Sequence, residues 1–112
     1  MIHVNFKISS ELDCIIGFKV LGHAFYDESG KDIVCAACSI LTINTINSLE
    51  NLLKIEYKLK QDEEKGRMIF DLKNKGDYTN HDVQLLLASY RLGISTIAKE
   101  YPKHLTISTE EV

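Results

Sequence analysis

A basic excess is the first thing this sequence lacks. Thirteen Lys and Arg against sixteen Asp and Glu leave a formal charge of −3 over 112 residues. A chain that grips nucleic acid through phosphates carries a surplus of the opposite sign, so direct nucleic-acid binding is not expected. No uninterrupted apolar run approaches the roughly 18–20 residues that cross a bilayer, and no membrane association is expected. The opening Met1-Ile2-His3-Val4-Asn5-Phe6-Lys7 alternates apolar and polar residues, where a secretory signal would follow a basic start with an apolar block. Three cysteines are an odd number. With no export signal they argue against a disulfide framework and for reduced thiols in the cytoplasm. Low-complexity stretches, linkers and a residue-level repeat are also missing, so residues 1–112 read as a single domain.

What is present is the composition of a folded chain, 45% apolar and 26% charged, which excludes intrinsic disorder. Ile2, Val4, Phe6 and Ile8 recur at period two, giving a half-buried strand. A turn over residues 9–13 leads into a second apolar strand from Cys14 to Leu21, giving a hairpin in which Gly17 signals a bulge or a close backbone approach. Gly22 ends that strand and permits backbone angles closed to other residues. Residues 27–31 read as a polar connection. A helix is expected from Ile33 to about Leu53, with Asp32 as its N-cap and its first two turns apolar on all sides, as in a helix buried in a core.

Alternation over Ile55, Tyr57 and Leu59 marks a third strand. A charged hairpin loop over 61–66 leads to a fourth through Met68, Phe70 and Leu72. Thr79-Asn80-His81-Asp82 has the pattern of a capping box, and Val83, Leu86, Leu87, Tyr90, Ile94 and Ile97 follow at helical spacing until the helix stops near Pro102. Leu105 and Ile107 suggest a short last strand. The order ββαββαβ makes an α+β domain: a mainly antiparallel, mixed sheet packed with two long helices.

The chemistry concentrates between Gly22 and Ser39. Cys35 falls in the expected first helical turn, where unsatisfied N–H groups and the helix dipole favour a thiolate. His23, just upstream at the strand end, has the titration range of a general base and acid. Free cysteines are among the most buried residues, so a plain core role competes with this reading. Asp32 serves as cap, as orienter of His23, or as both. Ser39 lies one turn beyond Cys35 on the same face and can bond near the site or back to a helix carbonyl. Cys35 and Cys38 also form a CxxC, which raises thiol–disulfide exchange as a rival activity. A zinc site from these cysteines with His23 and Cys14 matches no usual ligand spacing, and no metal is expected. The acidic run Asp62, Glu63, Glu64 reads as a solvated loop.

Gly22-His23-Ala24, a loop, and then Asp32-Ile33-Val34-Cys35-Ala36-Ala37 with Ser39 resemble the bacterial ribosomal-processing cysteine protease family, and the element order fits over nearly the whole chain. The resemblance implies that Cys35 is the nucleophile and His23 its base, with Asp32 and Ser39 supporting and Gly22, Ala24 and Ala36 contacting substrate. It implies no cofactor, a homodimer, and a substrate that is the precursor of ribosomal protein L-twenty-seven. That precursor is cut to remove an N-terminal extension after an apolar, phenylalanine-containing sequence. Cys38 departs from the family pattern, which has an aliphatic or small residue there. A dithiol redox protein and a non-catalytic ribosome-associated binding module are the competing readings.

Overall fold

The computed structural model describes residues 1–22 and 29–112, with the side chains of 29–32 left aside. Its elements are β1 (Ile2–Ser9), β2 (Cys14–Leu21), α1 (Ser29–Asn51), β3 (Tyr57–Asp62), β4 (Arg67–Leu72), a short 3-10 turn (Lys75–Asp77), α2 (His81–Glu100) and β5 (Leu105–Glu111). The five strands form one sheet in the order β3-β4-β2-β1-β5. Every pairing is antiparallel except that of β1 with β5, so the sheet is mixed, as expected.

Both helices cover the same face of the sheet. The period-two residues Ile2, Val4, Phe6, Phe18, Phe70 and Leu105 point into the core. Val34, Cys38 and Leu49 of α1 meet them there, as do Val83, Leu87, Tyr90 and Ile94 of α2. Aromatic rings form the centre: Phe18 stacks on Phe70 at 4.8 Å and tilts against Tyr90 at 4.6 Å. The opposite face of the sheet is polar and self-paired. His3 bonds the hydroxyls of Thr106 and Ser108 at 2.7 and 2.8 Å, and Lys7 pairs with Asp71 at 2.8 Å.

Gly17 fulfils both expectations placed on it. The β1–β2 register shifts beside it, so that Lys7 faces Gly17 while Ile8 faces Ile15. A Cβ on Gly17 would stand 2.6 Å from the carbonyl oxygen of Phe70 on the neighbouring strand. Gly22 has φ +96° and donates its N–H to the Gly66 carbonyl at 2.8 Å, fastening the end of β2 to the β3–β4 turn.

Several boundaries differ from the sequence reading. α1 starts at Ser29, so Asp32 is its fourth residue rather than its N-cap, and Cys35 sits in the second turn rather than the first. Its regular part ends at Asn51. The Ile55 N–H then bonds the Leu49 carbonyl at 3.0 Å, closing the end of the helix around Lys54, whose φ is +56°. α2 is capped by Asn80, not Thr79: its side chain accepts from the N–H groups of Asp82 and Val83. β3 begins at Tyr57 rather than Ile55, and β4 takes in Arg67.

The start of α1 is not buried all round either, because Ile33, Ala36 and Ile40 face outward. By length and composition alone, the 19 residues Ile33–Asn51 of this helix are long and apolar enough to cross a membrane, although no uninterrupted apolar run of that length stands in the sequence. Here one side of that stretch lies against the sheet, with Val34, Cys38 and Leu49 in the core.

Candidate active site

Two cavities meet at Cys35. The outer one, about 260 Å³, lies between α1 and the β3–β4 turn and is walled by Gly22, Cys35, Ser39, Asp62, Glu63 and Arg67. The inner one, about 90 Å³, runs beneath it to Cys38, Thr42 and Met68. Val20, Gly22, Cys35, Ser39 and Met68 line both, so the two are one cleft with a wide mouth and a narrow floor. Cys35 and Ser39 share this wall because four residues advance a helix by just over one turn. Cys35 is half-buried, accessible from the mouth and backed by the core.

The cleft has a built floor. Thr42 donates its hydroxyl to the Cys38 carbonyl at 2.7 Å and lies 2.8 Å from the Tyr90 hydroxyl. Since the Thr42 proton is used on the carbonyl, Tyr90 donates to Thr42. This joins the wall of the cleft to α2 through the core. Burial pushes the Tyr90 phenol far up, against the weaker lowering by its bond to Thr42. The same cause raises the Cys38 thiol to about 11. Cys38 is therefore a protonated core thiol at neutral pH, only 2% exposed.

The placement of the expected site residues is uneven. Gly22, Cys35 and Ser39 come together. Ala36 is exposed on α1 and lines neither cavity. His23 and Ala24 lie outside the described residues, as do the Asp32 side chain and residues 27 and 28 of the expected 27–31 connection, while its residues 29–31 are helical rather than loop. As the seventh residue of α1, Cys35 uses its own N–H on the carbonyl four residues back, so it is not a free helix-start donor. Among the described residues no three or more His, Cys, Asp or Glu side chains gather to hold a metal.

Sequence reading missed Val20 and Met68 as cleft walls, and it missed Thr42 and Tyr90 beneath them. Only Thr42 carried a signal, four residues after Cys38 on the same helix face. The acidic run was read as solvated, yet Asp62 and Glu63 stand across the mouth from Cys35.

A family model described as cysteine protease Prp matches residues 1–106. This chain belongs to that family. Its Prp relatives include the ribosomal processing cysteine protease Prp of Bacillus subtilis (strain 168), 28% identical over 96 residues that cover 85% of this chain and 86% of that protein. The Prp of Staphylococcus aureus (strain Mu50 / ATCC 700699) is 29% identical over 87 residues, 78% of this chain and 79% of its own. Among solved structures, SMU.848 from Streptococcus mutans superposes with a TM-score of 0.90 at 34% identity, covering all of this chain and 96% of that one. The essential Prp from S. aureus with a covalently linked product peptide gives 0.85 at 25% identity, over 98% of this chain and the whole of the other. As a Prp protease, this chain is a peptide hydrolase of the cysteine class.

Proposed function

We propose that this protein cuts the N-terminal extension from a bacterial large-subunit ribosomal protein, with Cys35 as nucleophile and His23 as its proton carrier. The observation that carries the reading is the cleft at Cys35. It places one half-buried, accessible thiol on a helix wall, with space in front of it for a peptide and an apolar floor below. The relatives named for ribosomal processing support the substrate class.

In this mechanism His23 takes the Cys35 proton and the thiolate attacks the scissile carbonyl. The amine leaves with the proton returned by His23, and water hydrolyses the thioester. Ser39 faces the same cleft as a supporting hydroxyl. The protein acts in the cytoplasm as a homodimer, without cofactor, nucleic acid or membrane. The dithiol alternative loses ground because Cys38 is only 2% exposed and burial holds its thiol protonated.

The test is incubation with a peptide spanning the extension and the mature N-terminus, read by mass spectrometry. One cut is expected, lost in Cys35→Ala and in His23→Ala and kept in Cys38→Ala. Cleavage that survives Cys35→Ala would refute the assignment.

A further inference from the structure

Two thiols line the inner cavity. Cys35 faces the outer cavity as well and is half-buried, whereas Cys38 belongs to the inner one alone and is 2% exposed. The helix sets their spacing. Three residues along α1 put two Cα atoms ~5 Å apart and turn the side chains by only about 60° from each other. A disulfide bridges Cα atoms about 4.4–6.8 Å apart, so the pair has the separation a bond needs. Cys38 is held in its reduced position only lightly: its sulfur lies 4.0 Å from the Thr42 hydroxyl, a weak contact that turning towards Cys35 would give up at little cost. The third thiol is elsewhere. Cys14 opens β2, and ~25 Å of extended strand separate it from Gly22 at the cleft.

Resting on the protease reading above, we propose that Cys35 and Cys38 form a reversible redox lock, in which peroxide oxidises the nucleophile and Cys38 closes a disulfide on it before further oxidation. The Cys35 thiolate attacks the peroxide and breaks its O–O bond. A sulfenic acid forms on Cys35 and hydroxide leaves. The Cys38 sulfur then displaces the sulfenic oxygen, which takes the Cys38 proton and departs with it as water. Two electrons have passed from the thiol pair to the peroxide, and the enzyme has lost its nucleophile. Small thiols reverse the lock. One attacks the Cys35 sulfur from the mouth and frees Cys38 to recover a proton; a second releases Cys35 and leaves as the external disulfide. Burial, which raises the Cys38 thiol, slows the steps in which it takes part. Its fixed place one helical turn from the target offsets this, because no encounter is needed. The same burial separates the lock from dithiol turnover: an outside disulfide meets Cys35 first, whereas a sulfenic acid on Cys35 meets Cys38 across the inner cavity.

The test exposes wild-type protein, Cys38→Ala and Cys38→Val to hydrogen peroxide and quenches with catalase. Cleavage of the extension peptide is then measured before and after dithiothreitol, each protein against its own untreated rate. Mass spectrometry of the tryptic peptide between Lys31 and Lys54, with and without dimedone, identifies the product at Cys35. Wild type is expected to lose cleavage, to lose two hydrogens from that peptide, to resist dimedone, and to regain most of its rate with dithiothreitol. In both variants Cys35 takes dimedone or gains further oxygens, and longer exposure leaves most of the rate beyond recovery. The two variants guard against a packing effect, since Val fills the space that Ala opens. A loss of two hydrogens that persists in the variants would assign the product to a bond between Cys35 and a backbone nitrogen and overturn the lock. Recovery in wild type no better than in the variants would overturn it too, and both results leave the protease reading standing. If untreated wild-type enzyme does not cut the peptide, the protease reading fails and the lock with it.

Discussion

The Thr42–Tyr90 hydrogen bond offers a direct measure of how firmly the site is fixed to the core. Both residues are at most 2% exposed, and their hydroxyls are 2.8 Å apart. Thr42→Val keeps the side-chain shape but strands the Tyr90 hydroxyl as a buried donor, a loss of about 1–3 kcal/mol. Tyr90→Phe removes the donor and leaves the Thr42 proton on the Cys38 carbonyl, so it costs about 0.5–1.5 kcal/mol. The double variant has no polar group left to strand and is expected within about 1 kcal/mol of wild type. The singles therefore sum to more than the double, with a coupling of about 1–2 kcal/mol. Urea unfolding of the four proteins at neutral pH reads this out as midpoint shifts at constant slope. Burial keeps the Tyr90 phenol protonated there, so pH does not confuse the comparison. A double variant as unstable as the sum of the singles would refute the donor assignment.

Three other changes are expected to be measurable. Cys38 has its pKa raised from 9.0 to about 11 by burial, so its contribution to stability is complete below pH 9 and is lost as pH rises through 11. That contribution is at most about 2–3 kcal/mol, and Cys38→Ala should unfold with a shallower fall in midpoint between pH 9 and 11. Gly17→Ala drives a Cβ against the backbone of β4 and should cost about 2–4 kcal/mol by thermal or urea unfolding. Lys54→Gly relieves a left-handed residue at the end of α1, and a stabilisation of about 0.5–1 kcal/mol in the same assay is expected.

The sheet was legible because period two is a strong signal wherever one face is buried. Val4, Phe6, Phe18 and Phe70 all sit inside as their alternation requires. α2 was equally plain: Val83, Leu87, Tyr90, Ile94 and Ile97 are its buried stripe. α1 was harder to read at its start. Ser29, Gly30 and Lys31 carry no apolar periodicity, and Asp32 is so favoured as a cap that it drew the boundary four residues too late. The exposure of Ile33 and Ile40 could not be read from sequence, since an all-round apolar helix and one with an open outer side look alike. Cys35 and Ser39 were found because a helix wall is a local pattern. Val20, Met68 and Asp62 were not, because strand pairing alone carries them across the cleft from it.

The parallel pairing of β1 with β5 joins Ile2 to Leu105 and Ile8 to Glu111. β1 thus keeps one margin unpaired until a strand about a hundred residues further along reaches it. Contacts of such sequence separation form late. The sheet behind the Cys35 cleft is complete only once β5 has docked on β1, so the thiol reaches its finished surroundings after the local hairpins and helices have already formed.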